Sequence, residues 1–285
     1  MNFSLRSGRA EDATACGSIC YQAFKHIAEQ HNFPPDFPNP EVAVDIMSYM
    51  LSENSIYSVV AESEGRIVGS NFLWENGVIA GIGPITVEPA LQNVSVGKKL
   101  MENVLQRTEE RKFAGVRLVQ TAYHNRSLSL YIKLGFNAQE PISVLQGPAL
   151  NSTFPGYSVR LATEADVEAC NILCIKVHGH HRGQELLNAI KAGTATVAEH
   201  NGAITGYATQ LGFFGHAVAE TNNELKALIG ASAAFSGPGI LLPTRNSDLL
   251  RWCLSNGLRV VQPMTLMSKG LYNQPYGAFL PSVLF

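Results

Sequence analysis

Residues 83–105, GPITVEPALQNVSVGKKLMENVL, combine a short strand, a tight turn and an amphipathic helix. The β-branched residues at 85–87 favour an extended backbone, and Pro89 ends that strand. After the turn, apolar residues recur at helical spacing, namely Val96, Leu100, Met101, Val104 and Leu105. The N–H groups and the dipole at a helix N-terminus favour an anion, and Lys98 and Lys99 add positive charge nearby. The segment therefore predicts a turn that binds phosphate.

A second segment, residues 123–136 with the sequence YHNRSLSLYIKLGF, follows about one helix and one strand later. It predicts a short helix that ends at Gly135, where a residue tolerant of positive φ is favoured. Ser127 is a small residue within this helix, and Leu130 and Tyr131 form a pair before its end. Two such segments in this order are stronger evidence for a specific functional site than either segment alone.

Together the two segments resemble the signatures of the GNAT superfamily of N-acetyltransferases. The first is similar to the family motif Gln/Arg-x-x-Gly-x-Gly/Ala, with Gln92 and Gly97 at matching positions. Ser95 stands where the first glycine is usual, and a serine fits this turn if its φ stays negative. The second is similar to Asn-x-x-Ala-x-x-Leu-Tyr-x-x-x-Gly-Phe, but His124 takes the Asn position and Asn125 follows it. The departures at Ser95 and His124 keep two alternatives open, a non-catalytic acyl-CoA-binding sensor and an interaction module.

The resemblance implies an enzyme that transfers acetyl from acetyl-CoA to a primary amine of a small molecule or peptide. It implies that Tyr131 protonates the departing thiolate, a role that fits a side chain protonated at neutral pH. The residues expected to bind the coenzyme are Ile85, Thr86, Val87, Gln92, Asn93, Val94, Ser95, Val96, Gly97, Lys98, His124 and Asn125. The sequence identifies no general base, and Asp36, Glu75 and Glu88 are candidates by location only.

The loop at residues 31–40, HNFPPDFPNP, links the first two predicted helices and carries several aromatic residues. In GNAT proteins this region commonly borders the acceptor pocket, so the resemblance makes Phe33, Asp36 and Phe37 candidate acceptor-site residues. A purely structural loop is an equally good interpretation.

The chain also repeats itself. Residues 3–6 followed by Asp12 and Cys16 align with residues 157–160 followed by Asp166 and Cys170. We therefore predict two copies of one fold, a catalytic N-terminal domain at 1–148 and a C-terminal domain at 156–285. Residues 147–156, GPALNSTFPG, separate them, since they contain two prolines and no periodicity.

The second copy is predicted to be degenerate. It lacks the Gly-x-Gly turn, and Glu220 and Glu224 would repel a diphosphate there. Cys253 stands where the first copy has Tyr131.

The predicted fold class is α/β (α+β), with two tandem GNAT domains. Each is expected to be a mixed, mostly antiparallel sheet flanked by helices, with central strands that part to admit the coenzyme. In the first copy, residues 11–30, 40–52, 95–112 and 126–134 are predicted as helices, and residues 78–88 as one strand.

Composition limits the other classes of function. The chain has 285 residues, 46% hydrophobic and 15% charged, which is enough to form a substantial core. A net charge of −2 argues against a nucleic-acid partner. With no secretory signal, no span of transmembrane length and five cysteines without a CxxC pair, we expect a cytoplasmic protein with no membrane partner.

The tract His178-Gly179-His180-His181 lacks a Cys or carboxylate at ligand spacing. We therefore predict a solvated loop there and no metal. The sequence leaves a homodimer open.

Overall fold

The computed structural model describes residues 2–92 and 94–284, so the predicted coenzyme ligand Asn93 lies outside the described residues. Helices flank two sheets in the described part of the chain. The helices are α1 (Ala13–Gln30), α2 (Pro40–Ser52), α3 (Val96–Glu110), α4 (Asn125–Lys133), α5 (Val167–His178), α6 (Gly183–Lys191), α7 (Asn222–Ala231) and α8 (Ser247–Ser255). The strands are β1 (Ser4–Ser7), β2 (Ile56–Ser63), β3 (Arg66–Trp74), β4 (Ile79–Ile82), β5 (Thr86–Val87), β6 (Gly115–Thr121), β7 (Asn137–Gln146), β8 (Tyr157–Leu161), β9 (Thr196–His200), β10 (Ala203–Ala208), β11 (Ala217–Ala219), β12 (Ile240–Pro243), β13 (Arg259–Gly270) and β14 (Ala278–Leu280). Within residues 2–92 and 94–284, no helix has both the length and the apolar character that crossing a bilayer requires.

The first sheet contains strands from both halves of the chain. Its order is β1-β2-β3-β4-β6-β13-β7-β12, with β5 paired to β3. Strand β13 lies between β6 and β7, with Met264 opposite Thr121 on one side and Ile142 on the other. The second sheet, β14-β11-β10-β9-β8, is formed by the C-terminal half alone. The predicted domain boundary falls in the irregular segment between β7 and β8, but β12 and β13 cross back into the first sheet.

The first sheet splits where its two central strands part. Strands β4 and β6 are parallel neighbours only from Ile79 opposite Gly115 to Gly81 opposite Arg117. Beyond this point the chain turns at Pro84, which cannot donate to a ladder, and continues as β5 beside β3. Strand β6 instead stays paired with β13. The segment predicted as a single strand at 78–88 is therefore two strands, and a gap opens between β5 and the end of β6.

Helices cover both faces of this sheet. Helix α3 packs Leu100 and Val104 against Val68 and Leu118 on one face. Helices α1 and α2 form a separate core on the other face, around Phe72. The predicted arrangement of a mostly antiparallel sheet flanked by helices is confirmed.

The two halves share one local motif in three dimensions. In each, an arginine on the first strand binds the aspartate that opens the first helix and a glutamate on the neighbouring strand. These sets are Arg6 with Asp12 and Glu62, and Arg160 with Asp166 and Glu199. The charged hydrogen bonds to Arg6 and Arg160 hold the pKa of Asp12 and of Asp166 below its ordinary range. The match in contacts supports the predicted repeat.

Candidate active site

A cavity of about 1450 Å³ occupies the gap between β5 and the end of β6. Its walls also include α1, α2, the beginning of α3, helix α4 and several residues of the C-terminal half. The predicted site residues that line it are Ile85, Thr86, Val87, Gln92, Ser95, Gly97, Lys98, His124, Asn125 and Tyr131. Val94 and Val96 are not among its lining residues, since Val94 is largely exposed and Val96 is buried in the core beneath α3.

The turn that leads into α3 keeps a glycine-like conformation without the glycine. Ser95 immediately precedes α3 and has φ +66° and ψ 7°, in the left-handed region. The negative φ that would suit a serine in this turn is therefore not present. A side chain in this region costs on the order of 1 kcal/mol, since Cβ crowds the following carbonyl. The backbone at Ser95 thus has a conformation that glycine adopts more readily than serine, at a cost in stability.

The start of α3 is electropositive. The N–H groups in the first turn of a helix have no acceptor within the helix itself, and no acidic side chain lies in the first turn of α3. Lys98 lines the cavity, and its ammonium lies 3.5 Å from Glu102. Arg126 of α4 also lines the cavity and donates a hydrogen bond to the Gln92 carboxamide oxygen. Arg126 was not predicted as a site residue from the sequence, although its place just after the His-Asn pair is a usable signal.

Strand β5 presents a free backbone edge to the gap. Its other edge is paired with β3, and the Glu88 N–H donates to the Val68 carbonyl at 3.0 Å. Because successive residues of a strand point their N–H groups to opposite edges, the N–H of Val87 points toward the gap. The Val87 carbonyl accepts a weak contact from Gln92 Nε2 at 3.5 Å. An extended ligand could therefore pair with β5 in the gap.

Helix α4 carries a small polar network that ends at Tyr131. His124 Nδ1 and Ser127 Oγ are 2.6 Å apart. Burial raises the pKa of Tyr131 to about 12, and hydrogen bonding from Ser127 lowers it in part. Burial also lowers the pKa of His124 to about 4, so the imidazole is neutral at physiological pH. The phenol of Tyr131 therefore keeps its proton at neutral pH, in a wall of the cavity.

Gln120 is a second polar residue that our sequence analysis missed. It lies near the end of β6, is 5% exposed and lines the cavity. Among the described residues, neither its carboxamide nitrogen nor its oxygen has a hydrogen-bond partner. An unpaired buried polar group costs about 1–3 kcal/mol, so such a group points to a bound ligand. The signal in the sequence was a glutamine that directly follows Leu118 and Val119 in a predicted strand.

The three candidate bases differ in their surroundings. Glu75 forms an ion pair with Arg107 at 2.8 Å, and Glu88 forms an ion pair with Arg66 at 3.0 Å. Asp36 lines the cavity, where burial raises its pKa to about 6 despite a hydrogen bond from Gln262. Of the predicted acceptor loop, Asp36 and Phe37 line the cavity, whereas Phe33 stacks on Tyr123 at 4.2 Å.

Two histidines of the tract at 178–181 are buried, which corrects the prediction of a solvated loop, whereas His181 is exposed. His178 is 6% exposed and His180 is 8% exposed. Burial lowers the pKa of His180 to about 4 and that of His178 well below its ordinary value. In the described parts of the chain, no three His, Cys, Asp or Glu side chains are grouped to hold a metal ion.

Helix α7 takes the place of α3 in the second copy, and its N-terminus is closed by its own side chains. Glu224 accepts hydrogen bonds from the N–H and hydroxyl of Thr221 at 3.0 and 2.6 Å. The carboxylate thus lies where α3 has no acidic group. Glu220 forms an ion pair with Lys176 at 2.7 Å, and Cys253 is fully buried.

Comparisons with known proteins agree with this geometry. The model of the Acetyltransferase (GNAT) family matches residues 21–136. No curated protein matches the sequence.

Three solved structures share the fold over nearly the whole chain, at low sequence identity. A protein from Pyrococcus horikoshii, provisionally named as an acetyltransferase, is 18% identical with a TM-score of 0.73, covering 97% of this chain and 94% of that one. A GCN5-related N-acetyltransferase from Sphaerobacter thermophilus is 15% identical with a TM-score of 0.63, covering 95% and 96%. A tandem GNAT protein from the clavulanic acid biosynthesis pathway is 12% identical with a TM-score of 0.57, covering 94% and 98%. The match to the family model is thus confined to residues 21–136, whereas along nearly its whole length the chain has the fold of a tandem GNAT protein.

Proposed function

We propose that the chain is an N-acetyltransferase that moves an acetyl group from acetyl-CoA to a primary amine, with its active centre in the N-terminal half. One observation carries the proposal: the electropositive start of α3, the free edge of β5 and the phenol of Tyr131 all border one cavity. An anion site, a strand edge and a proton donor are the three elements that coenzyme binding and thioester cleavage require. In the described part of the second copy, α7 begins with an acidic cap and Cys253 stands where the first copy has Tyr131, and we propose that this copy binds no coenzyme.

The residues present fit acetyl-CoA, which supplies the acyl group as a thioester. The N–H groups at 96–98, with Lys98 and Arg126, would hold its diphosphate. The free edge at Ile85 and Val87 would pair with the peptide-like pantetheine arm, and one N–H there would polarise the thioester carbonyl. Tyr131 would donate its phenolic proton to the departing sulfur, since its raised pKa keeps it protonated.

Adjacent lysines on α3 provide a matched test of the anion site. Lys98 lines the cavity, whereas Lys99 is not among the lining residues and pairs with Glu102 at 2.9 Å. We expect Lys98→Gln to raise the Kd of acetyl-CoA about fivefold, as for the loss of roughly 1 kcal/mol of charge interaction at a helix N-terminus. Lys99→Gln should leave it unchanged. Calorimetric titration measures both values.

A turnover assay distinguishes the proposed enzyme from the two alternatives, a non-catalytic acyl-CoA-binding sensor and an interaction module. Release of the free thiol is followed with a panel of primary amines, and the acetylated amine is identified by mass spectrometry. No binding of acetyl-CoA would refute the coenzyme site. Saturable binding without acetylation of any amine would refute catalysis and favour the sensor.

A further inference from the structure

The cavity has a second half whose lining differs from that of the coenzyme half. Beyond β5 and β6 its walls are formed by α1, α2, β3, the loop between the two helices and the C-terminal half. The side chains here are mostly apolar and include several rings. Examples are Phe24, Phe37, Trp74, Phe213, Met264 and Val283. At the rim, Tyr49 is 52% exposed and Phe214 is 42% exposed, so an apolar entrance faces water.

Charged side chains are segregated between the two halves. Among the described residues that line the cavity, the cations are Lys98, Arg126 and Lys133, all on α3 or α4. The anions are Asp36 and Asp45, both on the side of α1 and α2. The coenzyme half therefore favours a polyanion, and the opposite half favours a single positive charge.

Asp36 is fixed in place by the C-terminal half. Gln262 of β13 donates from Nε2 to Asp36 Oδ1 at 3.0 Å, across 226 residues of sequence. Gln262 is 2% exposed, and its Oε1 accepts from the Tyr123 hydroxyl at 3.4 Å. Phe33 stacks on the Tyr123 ring. The hydrogen bond from Gln262 uses Oδ1 and not Oδ2, and Asp36 lines the cavity among mostly apolar side chains.

Building on the proposed function, we propose that the acceptor is a primary amine on an apolar body that carries no other charge, with its ammonium bound at Asp36. A carboxylate on the acceptor would face Asp36 and Asp45 with no cation on that side of the cavity. A second ammonium at the far end of the body would lie among apolar side chains, where an unpaired charge is strongly disfavoured. Asp45 is exposed, so water screens the attraction that it would offer to such a group.

Two matched pairs of amines test this substrate class. Phenethylamine and phenylalanine differ by one carboxylate, and hexylamine and 1,6-diaminohexane differ by one terminal ammonium. Each is titrated calorimetrically into the protein saturated with coenzyme A, so the readout does not depend on turnover. We expect at least tenfold tighter binding of the first member of each pair. A smaller difference, a reversed preference or no binding of any of the four would overturn the inference.

Substitution of Asp36 tests the proposed anchor. Asp36→Asn keeps the shape of the side chain and should raise the Kd of hexylamine at least tenfold, with the affinity for coenzyme A unchanged. A Kd of hexylamine that Asp36→Asn leaves unchanged would refute Asp36 as the ammonium site. The wild type is first titrated with coenzyme A alone. If it does not bind coenzyme A, the proposed function itself is refuted, whatever the amine titrations show.

Discussion

Replacement of Asp36 by asparagine should stabilise the folded protein at neutral pH while it weakens amine binding. Burial raises the pKa of Asp36 from 3.8 to about 6, so its charged form is disfavoured in the folded state. At about 1.4 kcal/mol for each pKa unit, this corresponds to roughly 3 kcal/mol lost from the free energy of unfolding above pH 6. Asp36 is half-buried beside an open cavity, and hydration there reduces the cost. We therefore expect a gain of about 2 kcal/mol for Asp36→Asn at pH 7.5.

The sign of the pH dependence follows from proton binding. Between pH 3.8 and about 6, the folded state holds the Asp36 proton more tightly than the unfolded state. The contribution of Asp36 to stability therefore falls as the pH rises through this window. Asparagine does not titrate, so the difference in stability between the variant and the wild type should grow from near zero at pH 4 to a plateau above pH 6.5.

Urea unfolding at a series of pH values measures this difference. Asp45→Asn is the control, since Asp45 borders the same cavity but is exposed, and its effect on stability should be small at every pH. A destabilising effect of Asp36→Asn at pH 7.5, or a difference that does not change between pH 4 and 7, would refute the argument. Either result would mean that the carboxylate is well solvated or has a compensating charge.

Further predictions concern the coenzyme half of the cavity and the second copy. Tyr131→Phe should lower kcat by about 10²–10⁴ without changing the Kd of acetyl-CoA, and the exposed Tyr276→Phe is its control in a steady-state assay. Ser95→Gly should raise the free energy of unfolding by about 0.5 kcal/mol in urea titrations, because relief of the left-handed strain outweighs the added freedom of glycine in the unfolded chain. Gln120→Leu should raise the free energy of unfolding by about 1 kcal/mol but lower kcat/KM about tenfold, since it removes two unpaired polar atoms that we expect to contact a ligand. Calorimetry should give one acetyl-CoA per chain, and Glu224→Gln should not create a second site.

Local sequence signals predicted the elements that lie around the site. Residues 40–52 were predicted as a helix, and α2 spans Pro40–Ser52. The reason is visible in the structure, since Asn39 Oδ1 accepts from the Val42 N–H and a proline occupies the first turn. Helix caps and hydrophobic periodicity depend on residues that are only a few positions apart. The amino-acid sequence alone is therefore sufficient to predict them.

Features set by long-range packing could not be predicted in this way. No local pattern in the sequence indicates that β13 inserts between β6 and β7. The pairing of Asp36 with Gln262 depends on that insertion, so the sequence alone offered no means to rank Asp36 above Glu75 or Glu88. The burial of His178 was missed for the same reason, since the residues that cover it are distant in sequence.

The exchange of strands explains how a copy that we propose to be inactive could still be required for activity. If the only role of β13 were to complete the first sheet, any strand of suitable length could take its place without effect on the cavity. However, β13 contributes Met264 to the wall of the apolar half, and its buried Gln262 donates a hydrogen bond to Asp36. The C-terminal half also supplies Phe213 and Val283 to the same wall. The N-terminal half thus provides the proposed coenzyme site, whereas the acceptor half of the cavity is complete only when both halves are folded together. Changes in β13 would then alter acceptor choice without altering coenzyme binding, which gives the second copy a role that does not depend on a second active centre.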